Sequence, residues 1–175
     1  MLAAGCSSLD KEAIEKEILT LDSIGKREKY LMKVLEDDQK VRNPMVFHDI
    51  VTKFGTDSPE YQDLAEQLME VDKVNQFKID FYISQYGFPS PKYFSIMAIN
   101  SPFFVYQHIR DIDKRNGKFP LLYKAYKNGS LSIDLMSSYL GRTYFLKCGK
   151  NLVIENPYTP EQELEQLIKA LGLNK

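Results

Sequence analysis

The chain has little of what builds a metal or disulfide site, with two cysteines and two histidines among 175 residues. It also has no tryptophan. Cys6 and Cys148 cannot form a disulfide framework. Together with His48 and His108 they offer too few ligands at suitable spacing for a zinc site. No run approaches the roughly 20 apolar residues of a transmembrane helix. We therefore expect no bound metal and no cofactor.

The chain also lacks an excess of charge of either sign, because 23 Lys and Arg residues nearly balance 24 Asp and Glu residues and leave a net charge of -1. A chain without a basic field has no means of holding nucleic acid, so we expect no nucleic-acid partner. The sequence contains no P-loop, no dinucleotide-binding glycine turn, no zinc-protease helix and no G-x-S-x-G elbow. Composition and motifs thus define no reaction, and whether the protein is an enzyme stays open.

The N-terminus resembles the lipobox of a bacterial lipoprotein, in which small residues precede a cysteine that becomes acylated. The segment is Leu2-Ala3-Ala4-Gly5-Cys6. Acylation of Cys6 would attach the protein to a membrane at the cell envelope, on the periplasmic or outer-membrane face. The alternative is a flexible cytoplasmic tail, since a signal peptide also needs an apolar stretch of about 7–15 residues and only five residues precede Cys6. If Cys6 is lipidated, Cys148 has no disulfide partner and would be a small buried hydrophobe.

What the sequence does have is helical periodicity along nearly its whole length. Apolar residues recur at intervals of three and four, separated by short breaks. We predict an all-α fold, a compact bundle of about seven or eight short helices, with a flexible segment at 1–9 and one domain at 10–175. Two of the predicted breaks are a stop at Asn100-Ser101-Pro102, before a helix at 103–113, and a turn at Asn116-Gly117.

Four of the predicted helices carry polar side chains inside an apolar stripe. Burying a lone charge costs several kcal/mol or more, so such groups must find one another or water. We therefore predict that these side chains meet in one interior cluster between the helices. Its members are Asp38, Arg42, Asn75, Gln107, His108 and Arg142.

The cluster has the residue types of a catalytic or binding pocket. Histidine is the residue type that ordinarily titrates near neutral pH, so His108 is the candidate general acid and base. Asp38 would orient His108 or act as the base itself. Gln39 and Asp72 lie on the flanks of the same faces and would contribute to the pocket. The alternative is a satisfied structural network that only fixes the packing of the helices.

The remaining members of the cluster would bind a ligand. Arg42 and Arg142 would hold a carboxylate or another anion through bidentate contacts, and Asn75 and Gln107 would orient it by hydrogen bonds. Counting Asp38 against the two arginines leaves one positive charge, which favours a small anionic ligand.

Five short motifs in this order resemble a bacterial family catalogued as a domain of unknown function, common in Bacteroidetes and often lipoproteins or secreted. The resemblance covers roughly residues 26–146 and implies no activity. The family's patterns are D-Q-x-x-R, D-x-x-N, Y-G-[WF]-P, Q-H and D-R. In this chain they are Asp38-Gln39-x-x-Arg42, Asp72-x-x-Asn75, Tyr86-Gly87-Phe88-Pro89, Gln107-His108 and Gly141-Arg142.

The chain departs from the family pattern in two places. Gly141 stands where the family has an aspartate, and Cys148-Gly149-Lys150 stands near the place of a tyrosine-glycine-threonine-glutamine segment. If the family is enzymatic, this member has lost a carboxylate and would only bind. Three functions follow: an envelope module that binds a small molecule, a hydrolase that uses His108 and Asp38, or a structural lipoprotein whose polar network has no active site.

Overall fold

The computed structural model describes residues 9–154 and 159–174, and all regular secondary structure in these ranges is α-helical. Eight helices are present there, which confirms the predicted all-α fold. None of these eight is long and apolar enough to cross a membrane. The chain divides into two compact units, the first ending at Gly87 and the second beginning at Phe88. The single domain at 10–175 stays a prediction, and Cys6 lies outside the described residues.

The first unit is built around one long helix, α4, against which three shorter helices pack. Its helices are α1 (Lys11–Leu19), α2 (Ile24–Lys40), α3 (Pro44–Phe54) and α4 (Pro59–Tyr86). Ser58 caps the start of α4 by accepting a hydrogen bond from the Tyr61 amide, and Pro59 opens the first turn. Gly87 ends the helix at φ 76°, a conformation that favours glycine. These boundaries agree with the prediction.

Aliphatic and aromatic side chains form the core of the first unit. Tyr30 of α2 stacks on Tyr82 of α4, with ring centroids 6.1 Å apart and planes within 7°. Burying each such side chain is worth about 1.5–3 kcal/mol, so the apolar stripes hold α1 and α2 on α4. The fully or nearly buried aliphatic residues are Ile18, Leu21, Leu31, Val34, Leu35, Leu68 and Ile79.

In the second unit, α7 is the helix that contacts the other three. Its helices are α5 (Ile96–Gln107), α6 (Ile112–Lys127), α7 (Ile133–Cys148) and α8 (Pro160–Leu171). Ser132 caps α7. Thr159 and Gln162 form a capping box at the start of α8, and Gly172 ends α8 in the left-handed conformation, as the sequence predicts.

The predicted break at Asn100-Ser101-Pro102 is wrong, because α5 runs through Pro102. A proline inside a helix removes one backbone hydrogen bond and costs about 3 kcal/mol. Pro102 is itself buried, as are Ala98 and Phe103 on either side of it. Burial of this apolar helix offsets the cost of the proline. The predicted helix at 103–113 is likewise wrong, since α5 ends at Gln107.

The predicted turn at Asn116-Gly117 is also wrong, because both residues lie inside α6. A glycine in a helix costs only about 1 kcal/mol relative to alanine. Arg115 and Phe119 flank the pair, four residues apart on one face of the helix, and both are buried. Their burial keeps the helix continuous across a dipeptide that otherwise favours a turn.

Candidate functional site

In the first unit, two carboxylates converge on one arginine. Asp38 is fully buried in the last turn of α2, and Arg42 follows just beyond the end of that helix. Nε and Nη2 of Arg42 each donate to an Asp38 carboxylate oxygen at 3.3 Å. Nη2 of Arg42 also donates to Asp72 Oδ1, across to α4. We call Asp38, Arg42 and Asp72 the acid–arginine network, and its position ties α2 to α4.

The acid–arginine network carries one formal negative charge, since two carboxylates face one guanidinium. Gln39 adds a hydrogen bond from its side-chain amide to Asp38 at 2.9 Å, although its own side chain is exposed. The structure thus brings four of the predicted site residues together. It removes the original reason for expecting an anionic ligand, because Asp72 takes part in the network and offsets a positive charge.

Beside this network, α2 and α4 border an open cleft with a volume of about 520 Å³. This size lies within the range of known small-molecule sites. On the α4 side the cleft is lined by Val71, Val74, Asn75 and Lys78, whose spacing of three and four places them on one helix face. We call it the α2–α4 cleft. The long helix therefore presents apolar, amide and cationic groups to the same space.

Asn75 is the polar side chain at the inner wall of the α2–α4 cleft. It is only 1% exposed, and its Nδ2 has no hydrogen-bond partner among the described residues. A buried donor without an acceptor costs about 1–3 kcal/mol, and buried amides are satisfied in most structures. Asn75 is one of the residues that line the cleft. The prediction that Asn75 occupies a core-facing position is confirmed.

Two lysines line the cleft and form no salt bridge with the described residues. Lys40 lines it from α2 and Lys78 from α4. Within the described ranges neither one appears in a salt bridge, whereas the rim acid Asp37 binds Lys33 at 2.7 Å and Glu70 lies 3.6 Å from Lys73. The two acids of the rim are therefore paired with lysines outside the cleft. Lys40 and Lys78 are therefore the charged lining residues that lack a salt bridge among the described residues.

In the second unit, Gln107 belongs to a buried network centred on Arg115. Its side-chain oxygen accepts from Nη2 of Arg115 at 3.1 Å, and its side-chain nitrogen donates to Ser138 Oγ at 3.1 Å. Both functional groups of Gln107 are thus engaged within the unit. These contacts favour the structural alternative over ligand binding for this residue.

Arg115 itself has no exposed surface, and no salt bridge to a carboxylate is found for it among the described residues. Its guanidinium donates to the backbone oxygens of Tyr106, Gln107 and Ile109 at 3.0–3.3 Å, which lie where α5 ends. A cation at this position satisfies orphan carbonyls and complements the negative end of the helix dipole. Burial lowers the pKa of Arg115 to about 10, so the guanidinium is charged at neutral pH.

Side chains of α7 complete what we call the Arg115 network. Nε of Arg115 donates to Thr143 Oγ1 at 2.8 Å, and Nη2 donates to the Tyr139 carbonyl at 2.8 Å. The Tyr139 ring lies 4.1 Å from the guanidinium carbon, a cation–π distance, and its hydroxyl donates back to the Arg115 carbonyl at 2.9 Å. One side chain therefore joins α5, α6 and α7.

Two predictions for α7 are wrong. Arg142 is exposed rather than turned to the core, because Tyr139 and Thr143 occupy the inner face of α7 on either side of it. Cys148, predicted to be buried, is an exposed free cysteine at the end of the helix. The cluster of six therefore does not hold as predicted, since Arg142 is not an interior group.

His108 is half-buried and caps the C-terminal end of α5, where its backbone amide donates to the Val105 carbonyl at 3.2 Å. His108 lies in the second unit and Asp38 in the first, so their pairing as acid and base stays a prediction. His48, on α3, is exposed.

Sequence reasoning missed Arg115 and the cleft lysines. The predicted turn at Asn116-Gly117 leaves Arg115 outside any predicted helix, although the spacing of Arg115, Phe119 and Leu122 places it on an apolar helix face. Lys40 and Lys78 had no such signal, because exposed lysines are common on every helix.

Comparisons with known proteins add no assignment. No family model, no curated protein and no solved structure matches the chain. The resemblance to the Bacteroidetes family stays a prediction from the motifs. Across residues 9–154 and 159–174 no group of three His, Cys, Asp or Glu side chains is arranged to hold a metal ion.

Proposed function

We propose that the chain is a small-molecule-binding domain of the bacterial cell envelope and that the α2–α4 cleft is its ligand site. The observation that carries the proposal is the buried Asn75 amide, whose Nδ2 lacks an acceptor. A ligand oxygen in the cleft would supply that acceptor and recover the free energy lost by leaving the donor unpaired. The free protein would carry the cost of the unpaired donor, and ligand binding would offset it.

The charges at the cleft support a ligand with an acidic group. Lys40 and Lys78 approach from opposite helices and have no acid of their own in the described ranges. A carboxylate or phosphate between them would make charge-assisted hydrogen bonds, which are about twice as strong as neutral ones. The acid–arginine network takes no direct part, since its side chains bind one another and do not line the cleft.

The lipobox-like segment supports the location at the cell envelope. A lipid on Cys6 would hold the domain at a membrane. Growing the native bacterium with an alkyne analogue of palmitate should label the wild-type protein and the Cys148→Ser control equally. Cys6→Ser should lose the label, and a labelled Cys6→Ser protein would disprove the anchor.

The hydrolase alternative gains little from Asp38. Arg42 donates to both of its carboxylate oxygens, and the side chain has no exposed surface. A general base must reach the proton it removes. Asp38 is therefore better suited to hold α2 on α4 than to act on a substrate.

The binding proposal is tested by NMR, with the Asn75 side-chain NH2 signal as the readout. The wild-type protein is titrated with a panel of small carboxylates, phosphates, amines and neutral alcohols. A member that binds in the cleft should shift the Asn75 NH2 signal together with the backbone amides of Val74 and Lys78. If no member of the panel shifts the Asn75 signal, the α2–α4 cleft is not the site.

The matching variant is Asn75→Leu, which has a similar volume and no donor. We expect binding to be lost while the free energy of unfolding stays the same or rises by up to about 1 kcal/mol, since an unpaired buried polar group is removed. Urea unfolding measures the stability. A loss of stability of 2 kcal/mol or more would instead mean that Asn75 is a structural residue.

A further inference from the structure

We infer that the ligand of the α2–α4 cleft is an amphiphile with a single anionic group on an aliphatic chain. This inference rests on the proposed function and names the chemical class that the site would take. It is carried by the arrangement of three kinds of lining group, namely apolar side chains, unpaired cations and paired acids.

The apolar part of the cleft is made of valine. Val41 comes from the end of α2, and Val71 and Val74 come from one face of α4. All three are half-buried, so each leaves part of its surface open to water in the free protein. A hydrocarbon chain would remove that surface from water, whereas a sugar or a peptide would lose hydrogen bonds to water against the same wall.

The cationic part lies at the same helix pair. Lys40 directly precedes Val41, and Lys78 lies one turn after Val74. An anionic head group between the two ammonium groups would therefore leave its chain beside the valines. The Asn75 amide, buried next to Val74, is the neutral donor that the head group would also reach.

The acids of the rim limit the ligand to one anionic group. Asp37 and Glu70 line the same cleft, and their own lysine partners, Lys33 and Lys73, are exposed. Exposed ion pairs are weak, so these acids keep much of their field. A second anionic group further along the ligand would meet that field and be repelled.

The inference is tested by calorimetric titration with a set of eight-carbon probes and shorter homologues. The probes are octanoate, octyl phosphate, octan-1-ol and octylamine, with butyrate as the short-chain comparison. Octanoate or octyl phosphate should bind most tightly, and the pair distinguishes a carboxylate from a phosphate head group. Each methylene between butyrate and octanoate should improve affinity about twofold, below the roughly fourfold of complete burial, because the cleft is open.

The Lys40→Gln/Lys78→Gln double variant should weaken octanoate binding about tenfold and leave binding of octan-1-ol unchanged. Lys29→Gln is the matched control, an exposed lysine on the same face of α2 about 16 Å before Lys40. It should bind octanoate as the wild type does.

The outcomes separate the ligand class from the site. Equal or tighter binding of octan-1-ol or octylamine, with a shifted Asn75 signal, would overturn the anionic class and leave the site in place. Butyrate binding as tightly as octanoate would overturn the aliphatic part. If none of the eight-carbon probes binds while another panel compound shifts the Asn75 signal, the class is wrong and the site stands. Failure of every compound would overturn both.

Discussion

The two units satisfy the hydrogen-bond donors of an interior or partly buried arginine in different ways. Arg42 in the first unit is 20% exposed and lies between two carboxylates. Arg115 in the second unit is fully buried and donates to backbone carbonyls, a threonine hydroxyl and a glutamine side-chain oxygen. The first arrangement pairs charge with charge at the edge of a cleft, and the second caps a helix end. We therefore propose ligand binding for the first unit, because Arg115 and Gln107 use their donors within the second.

Replacing Arg115 gives the largest expected effect. Arg115→Met keeps most of the volume but leaves the terminal carbonyls of α5 buried without a donor. We expect a loss of about 3–5 kcal/mol in the free energy of unfolding, measured by urea denaturation. Arg110→Met, at an exposed position shortly before it, should change stability by less than about 0.5 kcal/mol. A similar small change at Arg115 would contradict its role as the cap of α5.

Replacing Arg42 tests the corresponding arginine of the first unit. Arg42→Met leaves Asp38 buried beside Asp72 without its cation, and we expect a loss of about 2–3 kcal/mol. Adding Asp38→Asn to Arg42→Met should restore part of that loss, because no buried charge would remain at position 38. An additive effect of the two changes would show that the ion pair does not couple them.

Raising the pH tests how much stability the buried tyrosines of the two units contribute. Burial raises the pKa of Tyr82 in the first unit and of Tyr139 in the second to about 12, from an ordinary value of 10.0. Each tyrosine therefore stabilises the fold fully below pH 10, and that stability is lost as pH rises toward 12. Arg115 acts in the opposite sense, since its lowered pKa makes burial less costly above pH 10.

The second unit should thus lose less stability than the first when the pH is raised. We expect Tyr82→Phe to reduce the fall in the free energy of unfolding between pH 9.5 and 11 by about 1 kcal/mol. Urea titrations at several pH values measure the slope. An unchanged slope in Tyr82→Phe would mean that Tyr82 does not titrate differently in the folded protein.

The smallest expected effect concerns Gly141, where the family that the motifs resemble has an aspartate. A Cβ added at Gly141 would meet no atom within 4 Å, and the residue lies inside α7. Gly141→Ala should stabilise the protein by about 0.5–1 kcal/mol because alanine favours the helix. Thermal unfolding measures it, and a decrease in the melting temperature would show that the glycine serves α7 in another way.

Local sequence signals predicted much of the fold. The caps at Ser58, Ser132 and Thr159 and the stops at Gly87 and Gly172 mark helix ends by chemistry that acts within four residues. The same logic failed at Pro102 and at Asn116-Gly117. There the burial of neighbouring side chains outweighed a local preference for a turn, and a local pattern contains no measure of that burial.

The candidate site was predictable only where periodicity and pairing distance coincide. Asp38 and Arg42 are four residues apart, so their contact follows from the helix. Asn75 follows from its place in an apolar stripe. Arg142 was misplaced because a boundary position on α7 resembles a core position in a helical wheel, and the packing of Tyr139 and Thr143 decided which face turned inward.

The sequence by itself determined that the described chain is helical and where most of its helices end. It also determined which polar side chains interrupt an apolar stripe. All three depend on periodicity and capping over a few residues. Only the tertiary structure decided that Arg115 is buried and Arg142 exposed, that Asp72 closes the acid–arginine network, and that Asn75, whose Nδ2 has no partner among the described residues, lines a cleft between α2 and α4. Those outcomes depend on which helix faces pack together, and that choice is set by contacts between residues distant in the chain.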